Sequence, residues 1–120
     1  MSMIFVFGAN EKGMHGGGAA RAAVLHHGAI MGIGYGLQGE SFGIPTMAGF
    51  EDAKENIDRF LEYARNHPTL EFQVTRIGCG IAGFKDEEIA PLFIAAPDNC
   101  LFDEAWKPFL GGDKRYWGTF

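Results

Sequence analysis

Short apolar runs that end in glycine or proline indicate the strands of this chain. Residues 4–7 form a continuous apolar run followed by Gly8, and residues 41–45 form a second strand-like run closed by Pro45. Such runs are typical of strands buried on both faces of a parallel sheet. Residues 72–77 alternate between apolar and polar positions, and residues 99–102 form a shorter stretch. We expect a strand at each of these four places.

A spacing of three to four residues predicts the helices between those strands. Residues 51–67 carry apolar side chains on one helical face and charged ones on the other, and Pro68 follows them. Residues 19–26 are strong helix formers that stop before Gly28. Residues 86–93 begin with three acids, which suit the first turn of a helix.

Three segments give weaker patterns. Residues 28–39 are rich in glycine and predict a turn followed by an irregular strand. Residues 103–106 predict a helical turn before Pro108. The tail at residues 111–117 mixes flexible, basic and aromatic residues, and we expect it either to dock on the domain or to contact a partner.

The alternation of strands and helices predicts one α/β domain over residues 1–120. We expect a three-layer α/β/α sandwich with a mixed, mostly parallel central sheet. In such a sheet the loops at the carboxyl ends of the strands converge on one crevice, which is the usual ligand site.

Composition and charge narrow the classes of partner. The formal net charge of -5 argues against nucleic acid, which normally requires a basic face. No apolar run approaches the roughly 18 residues of a membrane span. Residues 1–3 do not resemble a secretory signal, so we expect a cytoplasmic protein. Cys79 and Cys100 lack the spacing of metal ligands, and we expect two free thiols, no metal and no cofactor.

Two glycine-rich loops follow predicted strands and carry the strongest functional signal. The first glycine loop, residues 8–18, contains Gly8, Asn10 and then Gly16, Gly17 and Gly18 before the first helix. The second glycine loop, residues 78–84, reads Gly78, Cys79, Gly80, Ile81, Ala82, Gly83 and Phe84. Neither loop matches a Walker motif or a dinucleotide-binding fingerprint. Main-chain N–H groups at a helix start can still hold phosphate without basic side chains, so both loops predict a phosphate cradle.

Four side chains in these loops have two interpretations each. Asn10 could donate to a ligand hydroxyl or cap the local backbone. His15 could act as a general acid or base beside the crevice, or be a solvated loop histidine. Cys79 could be a nucleophile, although a small side chain packed under the loop is the favoured interpretation. Phe84 could cover a ribose or base, or belong to the core.

With these loops in place, the chain resembles a compact macrodomain, the family of ADP-ribose-binding α/β modules, and also small phage-associated proteins. The resemblance spans about residues 4–93. It implies that Asn10 contacts the distal ribose, that Gly16–Gly18 flank it, that Gly80–Gly83 wrap the diphosphate and that Phe84 shields the ligand. Two features depart from the family: no strand carrying an adenine-reading aspartate precedes residue 4, and Ala82 stands where the branch that cleaves ADP-ribosyl esters has an aspartate.

The sequence therefore predicts a module that binds ADP-ribose or a related nucleotide diphosphate derivative. Hydrolysis of an ADP-ribosyl or phosphate bond stays open, with His15 and Asn10 as the catalytic candidates. A carboxylate near the loops, Glu51, Asp52 or Asp86, could instead position the attacking water. The alternative is a non-catalytic assembly or inhibitor protein that uses its aromatic tail and acidic surface. Self-association into a homo-oligomer is compatible with either function.

Overall fold

Six strands form one mixed sheet to which four α-helices are connected. The structure is a computed structural model that describes residues 3–120, so Met1 and Ser2, where the signal peptide was considered, lie outside the described residues. In chain order the elements are β1 (Met3–Ala9), α1 (Gly18–His26), β2 (Gly36–Gln38), β3 (Ser41–Pro45), α2 (Phe50–Asn66), β4 (Glu71–Val74), α3 (Asp86–Ile89), β5 (Cys100–Asp103), α4 (Lys107–Leu110) and β6 (Arg115–Gly118), with short 3-10 helices at Ala90–Phe93 and Glu104–Trp106.

The sheet is parallel except at one edge. Its strand order is β2-β3-β1-β4-β5-β6, in which β2 runs antiparallel to β3 and every other neighbouring pair is parallel. The predicted α/β class and the mostly parallel sheet are therefore confirmed. The carboxyl ends of β1, β3 and β4 lie side by side, which places the loops that follow them at one edge.

Strand β1 is buried on both faces, as its continuous apolar run predicts. Ile4 and Val6 belong to a large core cluster that includes buried residues of α2, whereas Phe5 and Phe7 pack with Ala23 of α1. Because alternate side chains of a strand point to opposite faces, the two clusters lie on opposite sides of β1. The strand that delivers the first glycine loop is therefore anchored from both sides.

Helix α2 is the longest helix, with 17 residues, and its apolar stripe packs into the large cluster. The buried Asn56 donates from Nδ2 to the carbonyl of Pro45 at 3.1 Å, which ties the helix to the end of β3. Within residues 3–120, no helix combines the length and apolar composition that a membrane crossing requires.

Two predicted elements end earlier than their patterns suggest. Strand β4 stops at Val74 rather than residue 77, and the chain then turns, with the N–H of Ile77 donating to the carbonyl of Thr75 at 2.8 Å. Helix α3 stops at Ile89, and residues 90–93 continue as a 3-10 helix. Pro91 lacks the N–H that an α-helical bond would need, which explains the change.

The carboxyl-terminal tail is a parallel strand docked on β5. The indole of Trp117 donates from Nε1 to the carbonyl of Val74 at 2.9 Å, and Arg115 pairs with Glu71 at 2.7 Å. The helical turn predicted at residues 103–106 is present as the 3-10 helix Glu104–Trp106, and Pro108 follows it in the first turn of α4, where its missing N–H is not needed. The docked alternative for the tail is confirmed.

Candidate functional site

A hollow of about 450 Å³ opens at the carboxyl ends of β1, β3 and β4. Its volume falls within the roughly 300–1,000 Å³ range of small-molecule sites. The lining comes from residues 8–10, 14 and 16–20, from residues 46–47 and 75–82, and from residue 120. The two glycine loops predicted from the sequence therefore border one shared space.

The first glycine loop brings the start of α1 to this hollow. Helix α1 begins at Gly18, and its first turn contains no acidic residue. Across residues 3–120, the main-chain N–H groups of Gly17, Gly18, Ala19 and Ala20 donate to no protein acceptor. Four unpaired donors at a helix start form the kind of site that binds an anion.

The second glycine loop is a turn with its own unpaired donors. The N–H of Gly83 donates to the carbonyl of Gly80 at 3.0 Å, and the N–H of Phe84 donates to the carbonyl of Gly78 at 2.9 Å. Within the described chain, the N–H groups of Gly80, Ile81 and Ala82 have no protein acceptor. These three residues line the hollow, so their donors border the same space as those of α1.

Glycine leaves open space at two lining positions where φ is not positive. A Cβ added at Gly16 or Gly80 would meet no heavy atom within 4 Å, and neither residue has a positive φ. Local packing therefore does not require glycine at either position. The absence of a side chain instead lets another molecule approach the backbone closely.

Asn10 lies at the hollow and fixes the shape of the first glycine loop. Its Oδ1 accepts from the N–H of Met14 at 2.9 Å, and its Nδ2 donates to the carbonyl of Met14 at 3.3 Å. The side chain therefore makes the local caps that one of its two interpretations predicted. An amide has further hydrogen-bonding capacity, so contact with a ligand stays a prediction.

His15 is buried beneath the loop rather than solvated, which corrects the expectation that it lines the crevice. The side chain is not part of the lining, and only 3% of the residue is exposed. Its Nε2 lies 3.0 Å from the carbonyl of Ile33, 3.1 Å from that of Ile30 and 3.2 Å from Oε1 of Gln38. Because all three neighbours are acceptors, Nε2 is the nitrogen that carries hydrogen. This environment favours a structural role, and a catalytic role stays a prediction.

Cys79 lines the hollow as a protonated thiol. Burial raises the pKa of Cys79 to about 12, so the thiolate needed for nucleophilic attack is scarce at neutral pH. The thiol donates to the carbonyl of Ile77 at 3.6 Å. This geometry agrees with the favoured interpretation, a small side chain packed under the loop.

Gly83 and Phe84 are not part of the lining. The ring of Phe84 packs against the large core cluster and meets Phe50 edge-on, with ring centroids 5.9 Å apart. A Cβ at Gly78 would come within 3.2 Å of this ring, so Phe84 supports the loop from beneath. The core alternative for Phe84 therefore describes its position, whereas Gly8, Gly78 and residues 80–82 do line the hollow.

Several lining side chains are not among the predicted site residues, and they include Arg76, Met14, Met47 and Phe120. Arg76 lies just before the second glycine loop, and its position next to a strand end was a usable signal. The place of Phe120 depends on the pairing of β6 with β5, which no local pattern indicates. Among residues 3–120, no group of three or more His, Cys, Asp or Glu side chains is arranged to hold a metal ion.

Comparison of the chain with known protein families, curated proteins and solved structures found no match.

Proposed function

We propose that this chain binds ADP-ribose or a related nucleotide diphosphate derivative in the hollow, within a three-layer, macrodomain-like α/β/α fold. The main-chain donors of the two glycine loops would hold the diphosphate. Asn10, at the end of β1, would lie beside the distal ribose, as the resemblance implies.

One observation carries this proposal: two separate runs of unpaired main-chain N–H groups border one hollow. Residues 17–20 supply donors at the start of a nine-residue helix, and residues 80–82 supply donors from the second loop. A diphosphate carries several acceptor oxygens and negative charge, which both the donors and the helix dipole favour. The open space over Gly16 and Gly80 would let the phosphates approach the backbone.

Binding without turnover fits the lining best. Among the described residues that line the hollow, none has a carboxylate side chain, and His15 lies outside the lining. The raised pKa of Cys79 means that its thiol is not an activated nucleophile at neutral pH. We therefore propose a binding module and assign no hydrolytic step to it.

Calorimetry with ADP-ribose tests the proposal through the two open glycines. Gly16→Val and Gly80→Val place a side chain over the backbone at positions where a Cβ meets no heavy atom within 4 Å and φ is not positive. We expect each to raise the Kd for ADP-ribose by roughly tenfold or more, or about 1.4 kcal/mol, with little change in the unfolding midpoint.

Gly112→Val is the matched control, because Gly112 is also open, has no positive φ and lies outside the hollow. It should bind like the wild type. Equal affinity in all four proteins would reject the proposed site. Absence of ADP-ribose binding to the wild type would reject the ligand and favour the assembly or inhibitor alternative.

A further inference from the structure

Arg76 is the one charged side chain among the described residues that line the hollow. The chain as a whole carries a formal net charge of -5, so the positive group at this place is opposite in sign to the net charge. Arg76 lies between the end of β4 at Val74 and the start of the second glycine loop at Gly78. Its position therefore adds a cation to the border of unpaired main-chain donors.

Two hydrogen bonds fix the guanidinium of Arg76. Its Nε donates to Oδ1 of Asp86 at 2.8 Å, and its Nη2 donates to Oδ2 at 2.6 Å. The carboxylate is itself held by Trp106, whose Nε1 donates to Oδ1 at 2.7 Å. Trp106 is fully buried, so the cation is anchored to the core through Asp86.

The anchored guanidinium has N–H donors for which the described residues provide no acceptor. An arginine has five N–H donors, and Asp86 accepts from two of them. In the hydrogen bonds of residues 3–120, Nη1 of Arg76 has no protein acceptor. A planar fork that is already oriented loses little further entropy on binding a phosphoryl oxygen.

Part of this ion pair is open to solvent. The side chains of Arg76 and Asp86 are 41% and 25% exposed, and Arg76 lines the hollow, so a ligand there can reach the guanidinium. The hydrogen bond between them raises the pKa of Arg76 and lowers that of Asp86, so both stay charged at neutral pH. Asp86 therefore holds the Arg76 guanidinium in a fixed orientation beside a ligand-sized hollow.

We propose that Arg76 binds the phosphate chain of the ligand and so makes the site selective for phosphorylated compounds. Nη1 and the free hydrogen of Nη2 would donate to phosphoryl oxygens, while the main-chain donors of residues 80–82 contact the same group. This inference rests on the proposed function for its nucleotide ligand, although the chemistry that it names is the phosphoryl group itself.

The test measures Kd for ADP-ribose and for inorganic pyrophosphate at two salt concentrations. Arg76→Gln should raise both Kd values by roughly tenfold or more and reduce the dependence of affinity on salt. Arg76→Lys keeps the charge but not the fork, and it should recover part of the affinity. A purely structural role would not produce this salt signature.

Arg115→Gln is the matched control, because Arg115 forms a comparable half-exposed pair with Glu71 and lies outside the hollow. It should bind both probes like the wild type. If Arg76→Gln binds ADP-ribose as tightly as the wild type, the role of Arg76 is rejected and the proposed function stands. If pyrophosphate binding depends on Arg76 but ADP-ribose does not bind, the nucleotide is rejected and Arg76 stands. If neither probe binds the wild type, both proposals fail.

Discussion

At the scale of single residues, the first glycine loop owes its shape to side chains that are bonded to the backbone. Asn10 makes two hydrogen bonds to the main chain of Met14, and His15 lies against the carbonyls of Ile30 and Ile33. These bonds hold the segment that leads into Gly16. The first glycine loop is therefore ordered by the side chains of Asn10 and His15.

The buried position of His15 leads to a stability prediction. His15→Ala removes a donor from three acceptors and takes away the ring that meets Phe7 edge-on at 5.0 Å. We expect the free energy of unfolding to fall by about 2–5 kcal/mol, as for other large-to-small changes in a core. Urea titration measures this value.

The exposed His26, at the end of α1, provides the control for that experiment. His26→Ala should change the free energy of unfolding by no more than about 0.5 kcal/mol. A loss of the same small size in His15→Ala would contradict the structural role of His15.

The sequence identified residues that line the hollow more readily than it identified what their side chains do. Gly16, Gly80 and Asn10 were found because glycine runs and a polar residue at strand ends are local signals. The burial of His15 could not be found in this way, because its acceptors come from residues 30–38, which are distant in the chain. Burial that depends on such distant contacts produces no periodic pattern in the sequence around the histidine.

At the scale of elements, three backbone segments approach one another closely beneath the first glycine loop. A Cβ at Gly43 of β3 would overlap the carbonyl oxygen of Gly34, and a Cβ at Gly34 would overlap the carbonyl oxygen of Asn10. The glycine-rich segment at residues 28–39 is therefore a spacer between β3 and the loop. Its composition reflects backbone packing rather than ligand contact.

Gly43→Ala tests this close approach. Gly43 has no positive φ, so the expected cost is steric: the added methyl group displaces Gly34 and through it the carbonyl of Asn10. We expect a loss of about 1–3 kcal/mol in the free energy of unfolding, together with weaker ADP-ribose binding. Denaturant titration and calorimetry on the same sample measure both.

Gly112→Ala serves as the matched change, because a Cβ there meets nothing within 4 Å. It should leave the unfolding midpoint unchanged or raise the stability by up to about 1 kcal/mol. If Gly43→Ala unfolds at the same denaturant concentration as this variant, the spacer interpretation is wrong.

The elements themselves were predictable where apolar periodicity is long. Helix α2 and strands β1 and β3 were located within one or two residues of their ends, because each buries a regular pattern. Strand β6 was described only as a tail, since its four residues are stabilised by pairing with β5 and not by their own pattern. Short edge elements of this kind depend on contacts that a local window does not contain.

At the scale of the whole molecule, a buried thiol makes the free energy of unfolding depend on pH in the alkaline range. Cys100 lies in the large core cluster, and its burial raises the pKa of the thiol from 9.0 to about 12. Between these values the unfolded chain has lost a proton that the folded chain keeps. Because the unfolded state then binds fewer protons, the free energy of unfolding falls as the pH rises.

Cys100→Ala should remove this contribution. From pH 9 to pH 11 we expect the wild type to lose stability faster than the variant, by roughly 1 kcal/mol per pH unit, although the variant starts lower at pH 7 because of its cavity. Val74→Ala truncates the same core without a titrating group, so its curve should run parallel to that of the wild type. Parallel curves for the wild type and Cys100→Ala would instead mean that the thiol titrates alike in the folded and unfolded chains.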